Sequence, residues 1–532
     1  MQKTDWLSLV AVLALAIALR VLFYTGFFGS DEVTYVETAA NIAAGDWRAS
    51  NYIGATRYGM NLPVALSISL FGLSEASANV WPLFCSVGEV AIVFTVARWL
   101  WNTRTAIVCA SLLALLPLHV HFAGRMMADP PLAFFLSLSV ALMLRAASSK
   151  YWLNYLAAGL AWGGVFWVKE SVALLYLPVF LILGAYLNRI SSRWLWLFAG
   201  MALAVAANCV LMNFVAGNPM YLFVVMKQNV TTYAAGGLFS SAMATSPWYY
   251  LRYLFLDIRH TFLLGFLVAA GSILYARYFI RDKQVASGAQ FVVLWMLLLV
   301  GMFSFAVVSF SPVKLITKQT NYMLIFVGPL ALLAGWFLAS LPRRVFVPLA
   351  ALVVCGSVVL AALEQQAIAV FTANSKAVYF FLRDHPSAYL VGTTNNERAI
   401  NFFSMMEHRR ELRERIISFG ELAAVESSNA TVNLAIRTSG KNVFTVLDLQ
   451  NIDWGNKPGG IKRLSDVPKC WTSMGTLTPA ALGNGRWVAK GLIAAGAVLP
   501  ASLQQRYMSA LQPVAAPAPA YLFRVDHSCL AS

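Results

Sequence analysis

Two adjacent carboxylates, Asp31 and Glu32, directly follow the first long apolar segment of the chain. Charged side chains close to hydrocarbon are costly and are commonly tied to a function or a partner. A carboxylate in this position can act as a general base that takes a proton from the hydroxyl group of an acceptor. We therefore predict that Asp31 is a catalytic carboxylate, with Glu32 beside it. The structural alternative is a hydrated interfacial pair or a salt bridge to Arg57.

A third carboxylate, Asp129, stands directly before Pro130 and Pro131 at the start of a later apolar segment. Proline is favoured in the first turn of a helix, and an aspartate at this boundary can cap the helix with its side chain. Capping is therefore one interpretation of Asp129. The other is a second carboxylate of the site, which faces Asp31 and orients the acceptor or the base.

Three lysines, Lys169, Lys314 and Lys318, lie near the ends of apolar segments. Lys169 is followed by Glu170 at the junction of two such segments, where a lysine can also simply extend its ammonium group to water. Lys314 and Lys318 are four residues apart and would share one face of a helix. Such lysines favour an anionic ligand, for example a lipid phosphate, whose developing charge they would stabilise as it leaves.

His119 and His121 lie about one helical turn before Arg125, so they can join the same site. A histidine pair at an interface is more commonly hydrogen-bonded than bound to a metal, and no spacing of cysteine and histidine resembles a zinc site. Glu89 lies inside an apolar segment and is expected to bond to another helix.

The composition predicts a polytopic membrane protein. Hydrophobic residues make up 59% of the 532 residues and charged residues 12%, against about 25% charged residues in soluble domains. The mean hydropathy is +0.67. A membrane helix needs roughly 20 apolar residues. Apolar segments near this length lie at about 7–28, 79–100, 105–122, 130–147, 152–168, 171–188, 194–215, 262–280, 288–310, 321–341 and 344–366. We expect about 11–13 transmembrane helices in total.

Basic residues predict the orientation of these segments. With the N-terminus in the cytoplasm, every short inner loop is basic, as the positive-inside rule requires. The inner loops contain Arg98, Arg104, Arg145, Lys150, Arg189, Arg193, Arg277, Arg281, Lys283, Arg343 and Arg344. The acids and lysines described above then converge on the outer side. The net charge of +16 therefore reflects orientation and does not indicate nucleic-acid binding. We expect a bacterial inner membrane, with the C-terminal domain in the periplasm.

The charged residues divide the chain into two domains. Residues 1–366 contain 34 of the 62 Asp, Glu, Lys and Arg residues, and 367–532 contain 28. We assign 1–366 to a transmembrane catalytic domain. It includes a first outer loop at 29–78, with interfacial helices, and a second long outer loop at 217–260.

Residues 367–532 have the pattern of a small soluble α/β domain. Helices are predicted at Ser375–His385 and Arg398–Met406, and strands at Ala388–Gly392, Asn433–Arg437, Asn442–Leu447 and Tyr521–Val525. Cys470 and Cys529 both lie in this domain and can pair if it faces an oxidising compartment.

The order and sidedness of these motifs resemble the GT-C superfamily of polyprenyl-phosphate-sugar transferases, of the family 39/83 type. That group includes protein O-mannosyltransferases and the aminoarabinose transferases of lipid A. The resemblance covers most of residues 1–340. It rests on Asp31–Tyr35 (Asp-Glu-x-x-Tyr), Arg57-Tyr58 with Pro63 and Phe71-Gly72, Asp129-Pro130, the Lys169 junction and Lys314–Tyr322.

The resemblance implies an inverting transfer of a sugar from a polyprenyl-phosphate donor to an envelope lipid, glycan or protein. Asp31 would be the principal catalytic carboxylate, assisted by Asp129 and Glu32. We assign binding of the donor phosphate to Lys169, Lys314, Lys318, Arg57 and Arg125. We assign substrate contacts to Tyr35, Tyr58, Glu170, Tyr322 and His121.

One motif of the lipid A-modifying relatives is missing. They carry a Glu-Lys pair before the prolines of the first loop, which is implicated in metal and phosphate binding. Met60 and Asn61 stand at the matching positions here. The expected metal ligand is thus replaced by Met60, so no cofactor is assigned and a divalent metal stays open.

Two other classes of function fit parts of the sequence. A transporter or flippase of lipid-linked sugars predicts charges within the spans and broken helices at the midplane, whereas most ionisable residues here lie at the outer ends. A non-catalytic envelope assembly protein leaves the convergence of acids and lysines unexplained.

Overall fold

The computed structural model of the chain contains two compact units. The membrane unit comprises Met1–Tyr24, Thr34–Gly72 and Ala76–Ala361. The C-terminal unit comprises Thr25–Val33, Leu73–Glu75 and Ala362–Ser532. The structure describes residues 2–149, 151–234, 245–281, 283–311, 313–418, 442–451, 463–467 and 469–525.

Helices dominate the described chain as far as residue 384. In order they are α1 (Lys3–Leu22), α2 (Glu32–Ala43), α3 (Tyr58–Phe71), α4 (Glu75–Leu100), α5 (Thr103–Leu115), α6 (Pro117–Ala123), α7 (Asp129–Ser149), α8 (Trp152–Val168), α9 (Glu170–Leu187), α10 (Trp194–Ala216), α11 (Tyr221–Ala234), α12 (Tyr249–Leu256), α13 (Ile258–Thr261), α14 (Leu264–Arg281), α15 (Lys283–Phe305), α16 (Leu324–Ser340) and α17 (Arg343–Asp384). Short 3-10 helices lie at Ile53–Thr56 and Thr320–Met323, and a two-stranded hairpin is formed by β1 (Val307–Phe310) and β2 (Val313–Leu315).

Nine helices among the described residues are long and apolar enough to cross a bilayer, and ten if α5 and α6 form one bent span. The nine are α1, α4, α7, α9, α10, α14, α15, α16 and α17, two of them with slightly different bounds. The bend of 60° between α5 and α6 occurs at Pro117, because proline has no N–H for the helical ladder. The apolar α8 has 17 residues. All the predicted apolar segments therefore correspond to helices, and the chain is a multi-pass membrane protein.

Two predicted helix boundaries and one predicted helical pair are wrong. Helix α1 ends at Leu22, not at Phe28. Helix α15 ends at Phe305, because the β-branched Val307 and Val308 begin a strand instead. Lys314 consequently lies in β2 and Lys318 in irregular structure, so these lysines do not share a helical face. The second outer loop, 217–260, also contains the helices α11 to α13, which its polar composition did not indicate.

A buried polar network connects four helices of the membrane unit. Arg20 donates from Nε to Ser86 at 2.8 Å and also contacts His119. Glu89 contacts His119 Nε2 at 2.9 Å and accepts a hydrogen bond from Ser137 at 3.0 Å. Arg20, His119 and Glu89 are at most 2% exposed. The predicted bond from Glu89 to another helix is therefore confirmed, and His119 belongs to this structural network.

The helices α8 and α10 approach each other through glycines. A Cβ atom on Gly159 would collide with the carbonyl oxygen of Leu197, and one on Gly200 with the carbonyl oxygen of Leu156. Such contacts between small residues bring two backbones close enough to pack without side chains between them. This packing holds α8, which ends next to Lys169, against α10.

The C-terminal unit contains a mixed five-stranded sheet. After α17 come β3 (Ala388–Gly392), α18 (Thr394–Met406), a 3-10 helix (Arg410–Arg415), β4 (Ile416–Ser418), β5 (Asn442–Asp448), a 3-10 helix (Leu464–Asp466), β6 (Thr472–Thr476), α19 (Gly485–Gly496), α20 (Ala501–Ala515) and β7 (Ala520–Arg524). The strand order is β4-β3-β5-β7-β6. β3 is parallel to β4 and β5, while β7 is antiparallel to β5 and β6.

The core of this unit joins α17, α18 and the sheet. Tyr379 and Leu382 of α17, Ile400 of α18, and Leu390 of β3 are among its buried residues. The predicted helix at Ser375–His385 is thus the end of the 42-residue helix α17. The predicted strands at 388–392, 442–447 and 521–525 are confirmed with shifts of at most one residue. The predicted strand Asn433–Arg437 and Cys529 lie outside the described residues, whereas Cys470 is disulfide-bonded.

We expect Gly159→Ala to lower the free energy of unfolding by about 1–3 kcal/mol, because overpacking forces α8 and α10 apart. Thermal unfolding in detergent micelles measures the effect. Gly301→Ala is the matched control, since no atom of the described residues lies within 4 Å of a Cβ atom at Gly301 in α15. Equal stability of the two variants would contradict the close approach.

Candidate functional site

A cluster of polar side chains lies at the ends of several helices of the membrane unit. Asp129 begins α7, and Lys169 occupies the break between α8 and α9. Glu170 is the first residue of α9, and Arg57 immediately precedes α3. The predicted outer-side residues are thus held at helix ends, where charged groups can leave the apolar part of a helix without interrupting it.

Lys169 and Asp129 form a buried ion pair. The Nζ atom of Lys169 lies 3.2 Å from Oδ1 of Asp129, and the two side chains are 6% and 3% exposed. Asn321 donates to the other carboxylate oxygen, Oδ2, at 2.9 Å. The ammonium group also lies 4.1 Å from the ring centroid of Tyr322, which is a cation–π contact. Burial lowers the pKa of Lys169, but the nearby Asp129 and Tyr322 outweigh burial and raise this pKa.

Arg57 lies beside this pair and is also largely buried. Its Nη1 atom donates to the hydroxyl oxygen of Tyr35 at 2.6 Å, and its Nε atom lies 3.9 Å from the carboxylate of Glu170. The Nε atom has no hydrogen-bond partner among the described residues. Burial lowers the pKa of Arg57, but the nearby Tyr35 and Glu170 outweigh burial and raise this pKa above its usual value. Arg57 and Tyr35 lie close enough to Lys169 to influence its pKa, Arg57 downward and Tyr35 upward, so we treat both cations as one cluster.

Two members of this cluster were not predicted as site residues. Asn321 lies next to the predicted Tyr322 in a 3-10 turn, and its neutral amide gave no charge signal. Tyr250 lies at the start of α12 and is 2% exposed. Burial, followed by the nearby Tyr322, Tyr249 and Asp129, raises the pKa of Tyr250. The second outer loop therefore contributes to the cluster, and its aromatic run at 248–250 was the available signal.

Lys318 and Tyr58 have other surroundings. Lys318 is 2% exposed and donates to the carbonyl oxygen of Ile316 at 3.1 Å. Burial lowers the pKa of Lys318. Tyr58 stacks on Trp47 with 6.3 Å between ring centroids. Lys314 is partly exposed in β2. The roles assigned to these three residues stay predictions.

His121 and Arg125 belong to a second polar group. Nη1 of Arg125 lies 3.3 Å from Nε2 of His121, and the rings of His121 and His260 are 6.0 Å apart. His260 in turn contacts the hydroxyl of Tyr253 at 2.7 Å and Asp257 at 3.1 Å. Burial raises the pKa of Asp257, but His260 outweighs burial and lowers it. The assignment of Arg125 to the donor phosphate and of His121 to the substrate stays a prediction.

Asp31 and Glu32 are located in the C-terminal unit, on Thr25–Val33, which we call the Asp31 segment. Asp31 is half-buried directly before α2. Glu32 is fully buried, and its carboxylate accepts hydrogen bonds from the backbone N–H groups of Phe28, Gly29 and Ser30 at 2.7, 2.6 and 3.0 Å. The carboxylate of Glu32 therefore shapes the segment that carries Asp31.

The residues at the expected metal position do not fit a metal ion. Met60 is a fully buried apolar side chain. The amide Nδ2 of Asn61 donates to the carbonyl oxygens of Gly54 and Ala55 at 3.1 and 3.0 Å, which fixes the start of α3. Within the described ranges, no three His, Cys, Asp or Glu side chains come together as a metal site.

Known proteins share both part of the sequence and the fold. Residues 60–212 match the family model described as dolichyl-phosphate-mannose-protein mannosyltransferase. The structure of ArnT from Cupriavidus metallidurans in the apo state matches at 16% identity and a TM-score of 0.54. The match covers 84% of this chain and 94% of the ArnT chain. The chain has the GT-C glycosyltransferase fold. The resemblance that the motifs indicated and the predicted fold class are thereby confirmed.

Two further structures support the GT-C fold. The same ArnT bound to undecaprenyl phosphate matches at 17% identity, with a TM-score of 0.54 and the same coverage. The apo oligosaccharyltransferase of Archaeoglobus fulgidus matches at 12% identity and a TM-score of 0.51, over 98% of this chain and 89% of that chain. No curated protein sequence matches this chain. At these identities the structural matches establish the fold.

We expect Lys169→Met and Asp129→Asn to be strongly coupled. Each single substitution leaves a buried partner uncompensated and should lower the free energy of unfolding by about 3–5 kcal/mol. The loss of unfolding free energy in the double variant should be smaller than the sum of the two single losses. The difference should be about 0.5–3 kcal/mol. A double-mutant cycle in thermal or denaturant unfolding measures this coupling.

The exposed pair Asp46 and Arg48, 2.7 Å apart, provides the control cycle. Removal of this surface pair should change stability by at most about 1 kcal/mol. Strictly additive effects at Lys169 and Asp129 would contradict the buried ion pair.

Proposed function

We propose that this chain is an integral membrane glycosyltransferase that moves a sugar from a polyprenyl-phosphate donor to an envelope acceptor. The single observation that carries the proposal is the buried cluster of Lys169 and Arg57 at helix ends of a GT-C fold. The family model and the fold support this class of enzyme. The undecaprenyl phosphate in one ArnT structure supports the chemical class of the donor.

The charges of the cluster suit a phosphate leaving group. Two cations, Lys169 and Arg57, lie beside two carboxylates, Asp129 and Glu170. A sugar–phosphate–lipid is a phosphodiester with one negative charge, and its departure as a phosphate monoester adds a second. Fixed cations in a site that excludes water stabilise such developing charge without reorganisation. An ammonium group has three N–H donors, of which the bond to Asp129 uses one.

Asp129 and Glu170 hold the two cations in place. The carboxylate of Asp129 is itself positioned by Asn321, so the ammonium group of Lys169 has a defined location. Arg57 is held between Tyr35 and Glu170 in the same way. Positioned groups lower the activation barrier because their alignment precedes the reaction.

The reaction proceeds as a single displacement. The hydroxyl oxygen of the acceptor attacks the anomeric carbon of the donor sugar while Asp31 takes the hydroxyl proton. The bond between the anomeric carbon and the phosphate oxygen breaks, and its electron pair stays on the phosphate, where Lys169 and Arg57 stabilise it. Attack opposite the leaving group inverts the configuration of the anomeric carbon. Asp31 is assigned from the Asp-Glu-x-x-Tyr motif and its likeness to the GT-C pattern.

We infer the cellular location from the basic inner loops. They support an inner membrane of a bacterium, with the N-terminus in the cytoplasm and both the reaction and the C-terminal unit on the periplasmic side. The acceptor is then an envelope lipid, glycan or protein.

We expect Asp31→Asn to lower kcat for sugar transfer by about 10²–10⁴-fold, since the variant lacks the general base. Binding of the donor should be retained. The measurement is transfer of label from a panel of radiolabelled polyprenyl-phosphate sugars to whole-envelope acceptors, by protein in detergent or liposomes.

Asp46→Asn is the matched control, because Asp46 is an exposed acid of the same outer loop and pairs with Arg48. It should transfer sugar at the wild-type rate. Full activity of Asp31→Asn would refute the assignment of the base. Passage of donor lipid across liposomes without any sugar transfer would instead show a flippase.

A further inference from the structure

The Asp31 segment is packed against aromatic side chains of the C-terminal unit. The ring of Phe27 lies 4.9 Å from that of Phe402 and 5.1 Å from that of Phe403. The ring of Phe28 stacks on Phe371 of α17, with 5.0 Å between centroids. Phe27 is fully buried. These contacts anchor the segment on α17 and α18, far along the chain from Asp31.

Polar contacts hold the backbone of the segment as well. Nη1 of Arg398, in α18, donates to the carbonyl oxygen of Gly29 at 2.8 Å. The N–H of Phe27 donates to the carboxylate of Glu75 at 3.0 Å. A hydrogen bond from a charged donor is roughly twice as strong as a neutral one. Arg398 therefore fixes the chain two residues before Asp31.

Gly29 fits this arrangement for two reasons. Its φ angle of +92° is in the left-handed region, which glycine adopts without steric cost. A Cβ atom at Gly29 would also collide with Oδ1 of Asn395, in the first turn of α18. The segment is thus held by hydrogen bonds to the carboxylate of Glu32 within it, and Gly29 packs closely on α18.

We propose that Arg398 positions Asp31 through the backbone of Gly29, so that α18 takes part in catalysis without touching the substrate. The inference rests on the proposed function, in which Asp31 is the base. A glycine-containing segment without these contacts would sample many conformations, because backbone conformational entropy opposes its fixation. Arg398 is a positioning residue: its contact with Gly29 keeps the carboxylate of Asp31 in one place.

The test measures kcat, KM for the donor and hydrogen exchange of 25–33 in the full chain. We expect Arg398→Ala to lower kcat by between about tenfold and a hundredfold, the size expected for a misplaced catalytic group. KM should stay within about twofold, because the cations of the donor site are intact. Amides of 25–33 should exchange faster. Arg398→Lys retains one charged donor to Gly29 and should recover part of kcat.

Arg415→Ala is the matched control. Arg415 also donates to backbone carbonyl groups of the C-terminal unit, those of Leu382, His385 and Pro386. Its loss should lower the unfolding temperature without a selective loss of kcat or faster exchange at 25–33. If Arg398→Ala and Arg415→Ala lose kcat and stability in parallel, general destabilisation explains the effect and the proposal is overturned. Unchanged kcat and exchange in Arg398→Ala would overturn it too.

The failure of the proposed function has a different signature. Asp31→Asn would then be fully active, or wild type would transfer no sugar. Hydrogen exchange at 25–33 does not depend on activity, so it still reports whether Arg398 holds the segment. Faster exchange at 25–33 in Arg398→Ala with unchanged sugar transfer would show that Arg398 holds the segment but has no catalytic role.

Discussion

Charges that are removed from water must be matched within the protein, and this constraint governs the polar structure of both units. The ion pair between Lys169 and Asp129 is the central case, because both side chains are buried at helix ends. Asn321 and Tyr322 complete its surroundings. Breaking such a pair leaves an unpaired buried charge, which is far more costly than losing a surface pair. The helix ends that meet here are therefore held in one arrangement.

The same constraint explains how one cluster can serve stability and chemistry. Carboxylates that neutralise Lys169 and Arg57 also fix their positions. In the proposed function, cations held in this way stabilise the donor phosphate, because the protein rather than water already solvates them. The Asp31 segment follows the same design, since the buried carboxylate of Glu32 is satisfied by three backbone N–H groups. Its neighbour Asp31 lies directly before α2.

Sequence patterns predicted the helices of the membrane unit because a bilayer imposes a length and an apolar composition on each span. The alternation of basic loops then grouped Asp129, Lys169 and Glu170, which the structure brings together. The spacing of residues gave a wrong prediction of secondary structure where a segment was too short to distinguish a helical period from that of a strand. Lys314 and Lys318 were compatible with a helix, yet β1 and β2 form a hairpin there. Asn321 gave no signal because a neutral amide is common in turns.

The sequence by itself determined the polytopic membrane class and the strands 388–392 and 442–447. The sidedness of the loops and the roles of the acids and lysines stay predictions. Hydrophobic length, loop charge and local alternation are properties of neighbouring residues, so they can be recognised without a structure. Only the tertiary structure decided that Asp129 bonds to Lys169 and Asn321, and that Arg398 holds Gly29. These partners are separated by 40, 192 and 369 residues, and no local pattern specifies which distant side chain satisfies a buried charge or carbonyl group.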